Sequence, residues 1–294
     1  MLLIIYRYKI MKKILFLMAA AAIMQCVDVV EAKGQVLLGL PYEKIHTINR
    51  KPVPYQYVRE SDVMWSKIIW RRIELTERAN HHLYFPTEPQ DGRMSFIDVL
   101  LEGIHTQGLT AYAESGGDEF GTIMTEKEVH EKMGSKQNVM EIENLDGTME
   151  TKTVDERYKS SDIKSYLIKE LWFFDKQRSV MDVRIIGICP IRVYYRPDDQ
   201  DQEKPQQMKT FWIYYPEARK ILSNAECFNS KNDAARLNYE DIMQKRYFSS
   251  YIFAESNVYD NRLIRDYAQG QECLLEADRI KEQIFNFEQD LWEY

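Results

Sequence analysis

The densest apolar patterning lies in the second half of the chain. Three aromatic-rich runs follow one another there: Lys169–Phe174 (KELWFF), Ser179–Ile191 (SVMDVRIIGICPI) and Lys209–Tyr215 (KTFWIYY). In the first, Leu167, Leu171 and Phe173 alternate with Ile168, Trp172 and Phe174. Both faces of that strand are apolar in part, so the sheet it belongs to needs cover on both sides. The polar run Asp175–Lys176–Gln177–Arg178 turns the first strand into the second. The net-acidic stretch Arg196–Gln207, with Pro197 and Pro205, reads as an exposed loop before the third. Val139–Glu143 and Met149–Val154 flank Asp146–Gly147, which predicts a hairpin.

Helical periods surround this block. Ser61 or Asp62 caps a predicted helix to about Ala79, with Trp65, Ile68, Arg72, Leu75 and Ala79 on one face. Ile69, Trp70 and Ile73 add apolar surface beside and behind that face; such a helix is buried or shares itself with a partner. Asn80 stops it, and His81–His82 follow its end. Ser95–Asp98 resembles a capping box ahead of a helix carrying Ile97, Leu100, Leu101 and Ile104 and ending at Gly108. Ser115–Gly116–Gly117 begins a flexible loop. Thr125 caps a short helix that Gly134 closes. After Pro216 the chain turns helical, and Asn232 or Asp233 caps a segment running through Phe253. The last helix runs from about Asp260 to the C-terminus, with Cys273, Ala277, Ile280, Ile284, Phe287 and Leu291 at seam spacing. The predicted fold class is α+β. A small antiparallel sheet (strands at about 164–174, 179–191 and 209–215, plus a hairpin near 139–154) is covered by helices, one of them long and C-terminal.

The N-terminus reads as targeting sequence. Basic Met11–Lys13 precedes the apolar run Ile14–Met24, long enough for a signal peptide and too short for a membrane span. Val30–Glu31–Ala32 fits a cleavage site, so 1–32 is assigned as signal peptide, with Met11 an alternative start. Gln25 before Cys26 disfavours a lipid-bearing cysteine. Residues 33–57, with Pro52 and Pro54, form an extended arm, and 58–294 a single domain. The chain of 294 residues carries a net charge of −7; the signal segment holds four basic and two acidic residues, so the mature chain is near −9. That balance argues against a nucleic-acid footprint. Three cysteines remain after cleavage, an odd number for a disulfide framework.

Catalytic patterns are sparse. The five histidines form no HExxH-type spacing, and the adjacent pair His81–His82 fits helix-end capping better than metal binding. There is no GxSxG elbow and no phosphate loop. A reactive thiol needs an electropositive, partly exposed site; Cys227 in NAECFNS is the least buried-looking of the three cysteines, and it too reads as inert. Asp175 and Asp182 flank a turn and read as solvated. No cofactor or metal is implied. The aromatics carry the remaining signal, as core or as protein contact.

Several stretches resemble the GldN/PorN family of the type IX secretion and gliding-motility apparatus of Bacteroidetes. They are Asp62–Lys67, Ile69–Arg71, Leu83–Pro86, Trp172–Val180, Arg184–Ile188, Phe211–Pro216, Ser249–Ile252, Glu255–Asp260 and Ile284–Glu288. The resemblance runs from about Val53 to the C-terminus. It implies a non-enzymatic periplasmic subunit at the inner face of the outer membrane. Its implied partners are a PorK/GldK-like lipoprotein, with which it forms a ring, and a PorM/GldM-like motor shaft. Partner contacts are expected on the arm (Pro52, Pro54, Tyr55, Tyr57), on the back of the first helix (Ile69, Trp70, Ile73) and on the aromatic strands (Trp172, Phe174, Trp212, Tyr214). The alternatives are an exported envelope-glycan hydrolase using carboxylates near Glu170, Asp175 and Asp182, or a carbohydrate-binding protein with a row of exposed tryptophans.

Overall fold

The first predicted helix is a strand. β1 (Val63–Glu74) lies between two others in the main sheet of a computed structural model that describes residues 50–143, 149–156, 158–195, 205–232 and 234–291. Residues 136–143 and 149–156 are described by backbone alone. The sequence pattern misleads here for a physical reason. A strand paired on both edges and covered on both faces carries apolar residues at consecutive positions, and such a run satisfies the helical period as well as the strand period. Ile69 packs into one cluster, with Ile252, Ile280 and Ile284; its neighbour Trp70 packs into another, with Leu167, Cys189 and Trp212. The β-branched and aromatic composition is the signal that favours the strand.

The one-turn helix α1 (His81–Tyr84) follows, so the two histidines open a helix rather than trail one. Helix α2 (Phe96–Thr106) starts at Ser95, whose side chain accepts the Asp98 N–H. Strands β2 (Ala111–Ser115) and β3 (Asp118–Ile123) are joined by Gly116 and Gly117 at φ of 60° and 88°. The expected flexible loop is thus a tight hairpin turn, which needs positive φ at both central residues. Helix α3 (Glu126–Met133) carries the Thr125–Glu128 capping box and closes at left-handed Gly134. Strands β4 (Lys136–Glu143) and β5 (Met149–Glu156) form the expected hairpin as a separate two-stranded sheet; its predicted Asp146–Gly147 turn lies outside the described residues.

Strands β6 (Ile163–Asp175) and β7 (Val180–Tyr194) are the first two aromatic strands. The third is broken into β8 (Gln206–Lys209) and β9 (Trp212–Tyr214), both paired with β7. Pro190 on β7 has no N–H to offer, and its carbonyl takes both the backbone and the hydroxyl hydrogen of Thr210 between the two pieces. Tyr215 ends the strand reading, since α4 (Tyr215–Asn224) begins there with Pro216 in its first turn. The pair β10 (Glu226–Cys227) and β11 (Leu237–Asn238) leads into α5 (Tyr239–Gln244). The long helix expected from Asn232 or Asp233 is therefore only six residues. Asn238 caps it, and Arg246 at φ 56° ends it. Its expected second half becomes β12 (Tyr251–Glu255), an edge strand with alternating burial. The last helix, α6 (Gln271–Asp290), starts eleven residues later than predicted, after Gly270. Its seam is core packing: Ala277, Ile280 and Ile284 are buried, and the Phe287 ring stands 4.9 Å from that of Trp65.

The main sheet is antiparallel in the order β12-β1-β6-β7-β9-β2-β3, with β8 on β7. Helices α2, α4 and α5 share a core with Ile73, Tyr166, Ile168, Ile188 and Ile213 of the sheet. The other face is covered by the sheet itself. Glu119 of β3 accepts the Trp70 indole N–H of β1 at 2.7 Å and pairs with Lys169 of β6 at 2.6 Å, although β3 and β1 stand far apart in the strand order. The sheet coils until its β3 end lies over its β1–β6 part, in the sense that strand twist drives. Gly187 of β7 admits the fold-over, since a Cβ there would stand 2.6 Å from the Phe120 ring of β3. Buried Asn80 ties the end of β1 to the approach to β12, donating to the carbonyls of Glu74 and Ser249 and accepting the Ser249 N–H.

Glu119→Ala strands the buried indole and the Lys169 ammonium and is expected to cost about 2–3 kcal/mol in urea unfolding, with Glu119→Gln costing less. Burial depresses the His82 pKa from its ordinary value, against a hydrogen bond that the ring donates to the Ala79 backbone carbonyl, which raises it. The neutral ring's contribution to stability is present above about pH 6.5 and is lost as pH falls below it. The urea midpoint should drop on acidification through that window, and His82→Gln should flatten the slope.

Candidate interaction surface

The N-terminal arm has two prolines within three residues, Pro52 and Pro54, which hold it extended and remove ladder donors. Its backbone is held by side chains of the domain instead. Arg50 pairs with Asp241 of α5 at 2.7 Å, and its carbonyl accepts the Ser223 hydroxyl of α4 at 2.8 Å. Arg219 of α4 donates to the Val53 carbonyl, and Arg184 of β7 donates to that of Gln56. The Tyr55 ring lies 3.9 Å from the Arg219 guanidinium and 5.1 Å from that of Arg184, so two cations hold one ring.

Arg219 is buried and pairs with buried Glu240 of α5 at 2.7 Å. Its planar fork meets the carboxylate, the arm carbonyl and the ring together, which an ammonium group cannot match. Burial raises the Tyr55 pKa, and Arg219 opposes that rise. The contacts cross 166 residues from Val53 to Arg219, so no local motif announces them. The prolines and Tyr55 were the legible half of the site; Arg219, Glu240 and Arg184 were not.

The arm's outer side keeps apolar groups in solvent. Val53 and Pro54 are exposed, and Tyr57 is 89% exposed. Pro52 and Tyr55 are half-buried against the domain. The other expected contact residues divide sharply. Ile69, Trp70, Ile73, Phe174 and Trp212 are buried within the chain's own core, so the expected free helix back at 69–73 is instead the interior of a central strand. Trp172 is half-buried, its indole donating to Glu170 at 2.9 Å. Tyr214 is exposed at the start of α4.

The carboxylates suggested for glycan hydrolysis are neutralised by arginines. Glu170 is fully buried and pairs with Arg246 at 2.9 Å; Asp175 and Asp182 both pair with Arg178 at the β6–β7 turn. Tryptophans 70 and 212 are core residues rather than a row on the surface. Cys189 and Cys227 are buried thiols pushed up to about 12 by desolvation, and Cys273 is half-buried; all three are free. No group of histidine, cysteine and carboxylate side chains among the described residues is arranged to hold a metal ion. No helix among them is long and apolar enough to cross a membrane.

The profile of the family described as gliding motility associated protein GldN matches residues 58–293. The chain belongs to the GldN family. A search of curated proteins finds no match. Membership makes the chain a component of the gliding-motility and type IX secretion machinery, from a structural family. The matched region begins just after the arm's anchored stretch and spans the whole GldN sheet and its helices.

Releasing the arm should be measurable. Tyr55→Ala is expected to speed tryptic cleavage after Arg50 severalfold with little change in the domain's melting temperature. Arg219→Ala leaves Glu240 buried and unpaired and should cost about 3–5 kcal/mol as well as freeing the arm.

Proposed function

We propose that this GldN-family chain is a non-enzymatic periplasmic subunit of the type IX secretion and gliding-motility machinery. It forms a ring with a PorK/GldK-like outer-membrane lipoprotein and contacts a PorM/GldM-like motor shaft. The family match over residues 58–293 carries this reading. The arm supports it: a segment anchored on one side by Arg50, Tyr55 and Arg219, with Val53 and Tyr57 presented outward, suits a contact between subunits. A ring requires heterologous contacts, in which one surface of a subunit meets a different surface of the next.

The test is co-expression of the exported chain with a PorK/GldK-like lipoprotein. A stable complex that survives affinity purification and size-exclusion chromatography is expected, and Tyr57→Asp should lower its recovery severalfold while leaving the fold intact. A chain that purifies as a monomer and never retains the lipoprotein would sink this reading.

A further inference from the structure

Away from the arm, three exposed aromatic side chains converge on one hollow. Phe85, Phe228 and Tyr247 are 51%, 47% and 57% exposed, and all three line a groove of about 1270 Å³ between the segment after α1, the turn after β10 and the turn after α5. Single exposed rings are ordinary on a protein surface, whereas several in one concavity mark a contact site. Cations rim the same hollow. The Arg93 guanidinium stands 5.4 Å over the Phe228 ring and 3.8 Å from Glu226. Arg78 and Lys231 are exposed and make no ion pair among the described residues. Asp91 is the only carboxylate among the described lining residues. On a chain whose net charge is −7, this is a local reversal of sign.

We propose that this groove docks an extended acidic segment of a partner protein, with an aromatic or branched apolar side chain set between carboxylates. The apolar side chain enters between Phe85, Phe228 and Tyr247. Flanking carboxylates pair with Arg78 and Lys231, which give up no existing partner on binding. Arg93 is already neutralised in part by Glu226 and serves to hold the Phe228 ring in place. Charge complementarity gives such a site its selectivity and association rate, and the rings give it its anchor. A lipid headgroup or free phosphate needs the cations alone; the ring walls and the hollow shape favour a peptide side chain. The inference concerns what the isolated chain binds and does not rest on the ring.

The test uses the exported chain and fluorescence anisotropy. Its probe is a labelled peptide with one phenylalanine between paired glutamates, compared with a lysine-flanked counterpart and an alanine-centred one. The acidic phenylalanine peptide should bind at least about tenfold tighter than either, and binding should weaken as salt rises. Arg78→Glu combined with Lys231→Glu should lower affinity by about tenfold or more with an unchanged melting temperature, and Phe228→Ala should lower it by a smaller factor. Equal binding of the glutamate and lysine peptides, no binding of either, or an unaffected charge-reversal variant overturns the proposal. Sedimentation with phosphatidylglycerol vesicles that the double variant abolishes, in the absence of peptide binding, overturns it in favour of a lipid surface. None of these results bears on whether the chain co-purifies with its lipoprotein.

Discussion

One buried carboxylate holds the main sheet closed on itself. Glu119 sits on the last strand of the sheet yet bonds the Trp70 indole and the Lys169 ammonium on strands near the other end. That contact exists only because the sheet coils over its own face, and the coil buries Trp70, Leu167, Cys189 and Trp212 without a helix on that side. A buried carboxylate is tolerated when its oxygens are matched by donors, and here each oxygen has one. The Lys169 ammonium also lies over the Trp70 and Phe120 rings, which adds attraction where solvent is scarce. Gly187 is the steric condition for the same closure: with a side chain there, the Phe120 ring could not approach β7.

With one face closed by the sheet itself, the helices are free to cover the other. Helices α2, α4 and α5 pack against Ile73, Tyr166 and Ile188, while α6 packs through Ala277, Ile280 and Ile284 near Ile69. Helices α4 and α5 also place Arg219 and Glu240 together as a buried pair beneath the arm. The arm and the aromatic groove are therefore consequences of one packing arrangement. Each presents rings held by arginines, a combination that gives directional contact without the exposure of a large greasy patch.

Local chemistry was legible along much of the chain. Ser95, Thr125 and Gly134 mark helix ends through their own hydrogen bonds or dihedral freedom, and each sits where its residue type requires. The strands β6 and β7 and the β4–β5 hairpin follow from alternation and turn residues. The errors cluster where a segment is covered on both sides or cut short by a tertiary contact. β1 satisfied a helical period because Ile68, Ile69 and Trp70 are all apolar, one set for each face. The segment after Asn238 stops after six residues because Arg246 turns left-handed and Tyr251–Glu255 pairs with the edge of β1, a partner some 180 residues away.

The amino-acid sequence by itself determined the α+β class, the capped helices, the aromatic strands, the extended proline arm and membership of a family of secretion and gliding components. These depend on local dihedral preference, on alternation and on ordered short matches, all readable in one dimension. Only the tertiary structure decided which aromatics are core and which remain outside. Trp70, Phe174 and Trp212 are buried, whereas Tyr57, Tyr214, Phe85, Phe228 and Tyr247 face solvent. Burial is a property of what arrives from elsewhere in the chain: Glu119 for Trp70, Arg219 for Tyr55, and for the three groove rings only partial cover, such as Arg93 over Phe228.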